Sequence, residues 1–303
     1  MSDDFSQQLM DETLAIRLRR SQFGVRRSIK GGVHQSISDS VSADKKFISA
    51  SKKLLDTRNQ KYRAVTAIMS AAASTWKDST IPYPEDGIRL IRRDAVQAFS
   101  DQMTRYQQQL DQALAALDEE YQTLRWDARE RLGDLFDPND YPGSITGEFT
   151  IDWEPVTFDT AEYLRELSPR LYEEQCRRIQ SRFDEAVQMA EQAFMDEFQK
   201  LVAHLTERLT PGDDGRIKQF KPSTIENLSA FFDRFSALSV RSNRDLDALV
   251  ATAQELVSDC GGYDSLHDSE GLRNAVRIQM ERIQGGIDEL IVNKPSRAFR
   301  FDD

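Results

Sequence analysis

Histidines, cysteines and paired carboxylates are the groups from which hydrolytic, redox and metal chemistry is usually assembled. This chain of 303 residues uses them sparingly. The histidines His34, His204 and His267 lie in different segments, and none has a Glu three residues before it. The Glu-x-x-His pairs of a di-iron helical bundle are therefore missing from the pattern. There is no His-Glu-x-x-His and no Cys-x-x-Cys. Neither glycine pattern that cradles phosphate, Gly-x-x-x-x-Gly-Lys-Ser/Thr or Gly-x-Gly-x-x-Gly, is present. His204 adjoins Leu201 and Leu205 and reads as a partly buried structural histidine. Cys176 falls on an apolar stripe and reads as a small core residue. Cys260, just before Gly261-Gly262, reads as an exposed but inert thiol, because the neighbouring Asp259 disfavours the thiolate. Glu119/Glu120 and Glu173/Glu174 read as solvent-facing helix carboxylates. The expectation is a protein that is not an enzyme and uses no cofactor and no metal.

Charge offers more. The formal net charge is −11, which argues against nucleic acid wrapped over the entire surface. Its distribution is uneven. Residues 1–65 carry thirteen Lys/Arg against seven Asp/Glu, leaving 27 basic and 44 acidic residues for the remainder. Arg17, Arg19, Arg20, Arg26, Arg27 and Lys30 follow one another with no acid between them. Such a run is either a solvated face or a contact for an anionic partner, whether nucleic acid, another protein or the chain's own acidic helices. A second candidate is the segment Trp76–Ile91, with two prolines between long helices. It reads as a rigid packed turn or as a partner-docking loop anchored by Trp76, Tyr83 and Arg89, residue types enriched at interface hot spots.

The positioning elements are mostly helices. Apolar residues recur at steps of three and four from about Ser42 to Trp76, from Ile91 to Phe136 and from Arg170 to Leu209. The third stripe, Cys176, Ile179, Phe183, Val187, Ala190, Phe194, Phe198, Leu201, Leu205 and Leu209, repeats every eleven residues, a period of straight or slightly right-handed packing. Two regions instead alternate with period two, Leu14–Leu18 and Phe149–Trp153, and predict short strands lying side by side. Ser223 and Glu226 form a capping-box pattern ahead of further helices that reach Ile291. The expected fold is mainly α: an elongated antiparallel coiled coil or helical bundle with a small β element at one end. Its parts are a basic segment 1–41, a shaft 42–210 interrupted by β structure near 148–158, C-terminal helices 211–291 and a mobile tail 292–303. The acidic start without an apolar run, the paucity of cysteine and the lack of a run of some 20 apolar residues fit a cytoplasmic protein with no membrane segment.

Four segments carry a resemblance. They are Phe23-Gly-Val-Arg-Arg27, Val41–Asp56, Trp76 with Thr80-Ile-Pro-Tyr-Pro-Glu-Asp-Gly-Ile-Arg-Leu90, and Leu135-Phe-Asp-Pro-Asn-Asp-Tyr-Pro142. Together they resemble an uncharacterised family, a domain of unknown function, found in bacteria, phages and plasmids. The resemblance covers roughly the first half of the chain and supplies no catalytic residues. It implies a phage or other mobile-element setting and partners such as an AAA-type ATPase or a von Willebrand A-type protein. The expected function is a structural or interaction protein that binds other proteins, itself included as a homo-oligomer, through coiled-coil and loop surfaces. The alternative is a nucleic-acid-binding accessory protein using the basic segment 17–30.

Overall fold

Residues 169–209 contain no glycine, and their one proline is the first of them, where a missing N–H costs nothing. In the computed structural model they form a single 41-residue helix that stops at Thr210, immediately before Pro211. The structure describes residues 2–29, 44, 47, 49–158, 162–212, 218 and 221–292. Lys30 and nearly all of the C-terminal tail lie outside the described residues. In chain order the elements are α1 (Ser2–Glu12), β1 (Thr13–Ser21), β2 (Arg26–Ser28), β3 (Ser51–Lys53), α2 (Gln60–Asp78), β4 (Ile81–Pro82), β5 (Ile88–Arg92), α3 (Val96–Leu132), β6 (Thr150–Val156), α4 (Glu162–Leu167), α5 (Pro169–Leu209), α6 (Pro222–Leu238), α7 (Arg244–Asp259), α8 (Gly262–Asp268) and α9 (Glu270–Val292). Short 3₁₀ turns lie around residues 93–95, 133–140 and 146–148. The protein is mainly helical with a small antiparallel sheet.

The chain forms two compact units, each discontinuous in sequence. The first comprises Met1–Ala15, Ser79–Arg93 and Thr157–Asp303, and the second Ile16–Asp78 and Asp94–Val156. The two longest helices are therefore divided: α5 organises the first unit and α3 the second. Strand order is β4-β5-β1-β6, with β2-β3 as a separate ribbon. The two strands read from alternation, β1 and β6, are indeed neighbours. Hairpin β4–β5, in register Ile81↔Leu90 and Pro82↔Arg89, was not foreseen from the sequence.

In the first unit, Met195, Phe198, Val202 and Leu205 of α5 pack with Phe231, Phe232 and Phe235 of α6 and with residues of α7, α8 and α9. Phe198 and Phe231 stack with centroids 5.3 Å apart and planes 2° apart. The stripe read from the sequence is correct in period but narrower than the buried face, which also takes in Met195 and Val202. Helix α6 begins at Pro222 with Lys221 at the cap and no side-chain cap bond, so the capping box is unused. Asn243 does cap α7, accepting from the Leu246 N–H at 3.0 Å. Gly261 and Gly262, at φ 71° and 80°, take the left-handed backbone that turns the chain from α7 into α8.

In the second unit, α2 and α3 are antiparallel. Thr75 hydrogen-bonds Tyr106, whereas Lys61, earlier on α2, meets Glu119 and Glu120, later on α3. Helix α2 starts at Gln60 rather than near Ser42. Asn59 caps it by accepting from the N–H groups of Lys61 and Tyr62, and Ser51–Lys53 is extended. Phe47, expected on the buried face of that helix, is 88% exposed. On the sheet side, Gln107 of α3 donates to the Ile151 carbonyl at 3.0 Å, and Phe99 meets Trp153 edge-on at 5.4 Å.

Adjacent glycines in α9 differ in a testable way. A Cβ on Gly286 would lie 3.0 Å from Leu249 Cδ2 of α7, whereas one on Gly285 meets nothing within 4 Å. Gly285→Ala is expected to stabilise the protein by about 0.5–1 kcal/mol through helix propensity. Gly286→Leu is expected to destabilise it by about 1–3 kcal/mol through overpacking. Urea denaturation of the two variants checks both signs.

Candidate anion-binding surface

The basic run separates into two structural groups within the second unit. Arg17 and Arg19 alternate along β1 and so share a face. Both reach Glu154 of the adjacent β6, at 3.6 and 2.7 Å. One carboxylate on the chain's own strand thus meets part of their charge. Arg20 donates to the Met69 carbonyl at 3.3 Å. Arg26 and Arg27 belong to β2, and their surroundings are different.

Ribbon β2–β3 pairs Arg26 with Lys53 and Arg27 with Lys52, so both of its basic cross-strand positions bring like charges together. Facing like charges destabilise a strand pair, and two strands alone are marginal in water. Lys52 is what anchors the ribbon. Its side chain is only 10% exposed, and its ammonium donates to the Leu135 carbonyl at 2.7 Å and lies 2.6 Å from Asp140 Oδ2. The turn bearing Asp140 is held in shape by Asp137, which accepts from the N–H of Asn139. The Tyr141 hydroxyl donates to the Leu54 carbonyl at 3.0 Å, and burial pushes its pKa up to about 12, so it keeps that proton throughout the physiological range. With Lys52 neutralised, Arg26, Arg27 and Lys53 remain exposed. Among the described residues none of these three forms a salt bridge.

Beside the ribbon, Lys53 and Asp56–Arg58 face α3 across a cavity of about 290 Å³. Leu124, Asp127, Ala128 and Arg131 line its far wall, at i, i+3, i+4 and i+7 of one helix face. Asp56 sits between two guanidinium groups. Arg58 contacts both its oxygens at 3.2 Å, and Arg131 Nη1 reaches Oδ2 at 3.1 Å. The Arg58 side chain, then its backbone N–H and Arg131, hold the Asp56 carboxyl well below the ordinary 3.8. The cavity remains cationic, with Lys53, Arg58 and Arg131 against Asp56 and Asp127.

The docking candidates are placed otherwise. Trp76 belongs to the second unit, and Tyr83 and Arg89 to the first. Tyr83 is 4% exposed, stacked on Phe158 at 4.8 Å and edge-on to Phe183. That burial corrects its reading as a surface anchor: the proline-rich turn gives the side chain to the core. Arg89 is half-buried and donates to Thr80 Oγ1 and the Thr80 carbonyl at 2.6 and 2.7 Å, bracing the β4–β5 hairpin. Cys260 is likewise corrected, being 3% exposed with its thiol directed at the Val257 carbonyl. Cys176 is half-buried rather than core, and His204 is exposed. Among the described residues there is no group of three or more His, Cys, Asp or Glu side chains able to hold a metal, and no helix is long and apolar enough to cross a membrane.

Sequence reasoning missed Lys52, Lys53, Arg58 and Arg131. The signal available was the Lys52-Lys53 pair, which lies in the stretch read as helix from about Ser42. The chain matches no protein-family model, no curated protein and no solved structure.

Two outcomes check this geometry. Lys52→Ala leaves Asp140 and the Leu135 carbonyl without their donor and is expected to cost about 1–3 kcal/mol in denaturant unfolding. For Asp56, a carboxyl titration followed by NMR should give a midpoint well below 3.8, rising in Arg58→Ala and by less in Arg131→Ala. Because its pKa is depressed on folding, Asp56 contributes stability fully above the ordinary carboxylate range. That contribution disappears as pH falls from there toward the folded-state value.

Proposed function

We propose that the protein is a non-enzymatic accessory protein that binds nucleic acid through ribbon β2–β3. The observation that carries this reading is the facing of Arg26 with Lys53 and of Arg27 with Lys52. A chain with an acidic total charge concentrates cations on a ribbon where they weaken the fold. Phosphate supplies the compensating charge, and an exposed ribbon can track a phosphate backbone without reading sequence. The reading keeps the mobile-element, host-cytoplasm setting that the sequence resemblance implies. It differs from a protein-docking reading centred on Trp76, Tyr83 and Arg89, which loses its central aromatic to burial.

Fluorescence anisotropy with labelled DNA over a salt series is the test. With roughly three phosphates met by Arg26, Arg27 and Lys53, the log–log salt slope for a single strand is expected to be about −2. Arg26→Glu places opposite charges across the ribbon. It should therefore stabilise the fold by a few tenths of a kcal/mol while weakening and flattening the salt-dependent binding. Affinity that ignores salt, or that survives Arg26→Glu combined with Arg27→Glu, overturns the reading. Binding of polyglutamate in preference to DNA would point to an acidic protein instead.

A further inference from the structure

Four residues near the C-terminal end of α3, Gln122, Arg125, Trp126 and Arg129, are spaced i, i+3, i+4 and i+7 and line one side of an open cleft of about 530 Å³. The opposite side comes from Gly133, Phe136 and Pro138, in the loop whose Leu135 carbonyl and Asp140 hold Lys52. Gly133, at φ 51°, makes the turn that ends α3 and brings this loop back past the helix. The cleft has two arginines and no acidic side chain in its lining. Among the described residues neither Arg125 nor Arg129 forms a salt bridge. Trp126 is 61% exposed, an unusual position for the largest apolar side chain on a helix whose other large apolar residues are mostly buried.

Arg125 is held in place. Its guanidinium lies 5.8 Å from the Tyr141 ring centroid, and Phe136 stacks on that same ring at 5.0 Å and 27°. Tyr141 is itself tied to the Leu54 carbonyl beside the ribbon. A fixed cation next to a free indole face suits a ligand that is anionic and flat in alternation. The cleft volume falls in the range of small-ligand sites.

The geometry points to this cleft as a stacking site for an unpaired nucleobase of single-stranded nucleic acid, with Trp126 as the platform and Arg125 and Arg129 meeting the adjoining phosphates. The inference rests on the nucleic-acid reading of the ribbon and adds what the ribbon alone does not supply, a preference for single over double strands. A base inside a duplex is already stacked on both faces and cannot lie on the indole without being extruded, whereas a free base can.

Binding of a short labelled oligothymidylate and of a labelled DNA hairpin closed by a non-nucleotide linker, so that it has no unpaired base, both to the full chain, tests this. Stacking on an aromatic is worth about 1–3 kcal/mol per base, so Trp126→Ala is expected to weaken oligothymidylate binding about 5- to 150-fold. Hairpin binding should stay within about twofold, and Trp126→Phe should retain most of the single-strand affinity. Arg125→Ala with Arg129→Ala should flatten the salt slope for the oligothymidylate. Because Trp126 is exposed, an unchanged melting temperature for Trp126→Ala separates lost binding from lost folding. If Trp126→Ala binds oligothymidylate like the unaltered protein while Arg26→Glu with Arg27→Glu does not, the stacking site is wrong and the ribbon reading stands. Equal losses on oligothymidylate and hairpin also overturn the stacking site. If the unaltered protein binds neither DNA, both the site and the reading beneath it fall.

Discussion

A helix of 41 residues with an apolar stripe along its length cannot bury that stripe against itself, and no single short helix can cover it. Partners must be found all the way along, and this constraint organises both units. For α5 the partners include α1, α4, α6 and α9, drawn from both ends of the chain. For α3, 37 residues long, they are α2, running antiparallel beside it, together with β6 and the turns that precede β6. Because the covering pieces are scattered in sequence, each compact unit is discontinuous, and the small sheet is assembled from strands far apart in the chain.

The same constraint creates the candidate surface. The last two turns of α3 run beside Lys53 at the end of the ribbon and beside the loop 133–141, and among the described residues no further helix lines the clefts there. In this region polar bonds are added to the apolar packing of Leu54, Leu55, Leu124 and Ala128. The Lys52 ammonium, enclosed by the Leu135 carbonyl and Asp140, fastens the ribbon to the loop, and Asp56 fastens Arg58 to Arg131. Asp140 and Asp56 are thereby each engaged with a cation. Among the described residues, Arg26, Arg27 and Lys53 on the ribbon and Arg125 and Arg129 on the helix form no salt bridge and outnumber the unpaired acids beside them, Glu130, Asp134 and Asp137. An acidic protein thereby carries a cationic region whose excess is local and geometric.

Much of the helical framework was legible. Stretches free of glycine and proline with apolar steps of three and four became α3 and α5 within a few residues of the expected bounds. Alternation located β1 and β6 and even their adjacency. The reading failed where local signals were short or in competition. Leu54 and Leu55 fitted a helical stripe that Asn59 in fact starts later, and Ile88–Arg92 was too short to register as a strand. Of the candidate site, the run containing Arg26 and Arg27 was visible as charge, but Trp126 with its flanking arginines was not singled out. It lies off the apolar stripe, a fact that carries meaning only once the stripe is known to be covered and the opposite face is known to be open.

By itself, then, the sequence determined the two longest helices, the places where proline and glycine interrupt the chain and the clustering of the early cations, because these follow from periodicity, proline, glycine and charge within a short window. Only the tertiary structure decided that α3 and α5 build separate cores, that Tyr83 is buried, and that Arg26 faces Lys53 rather than an acid. Those outcomes depend on which distant segments cover a stripe and in what register two strands pair. A one-residue slip in β2–β3 would set different charges opposite one another while leaving every local signal in the sequence the same.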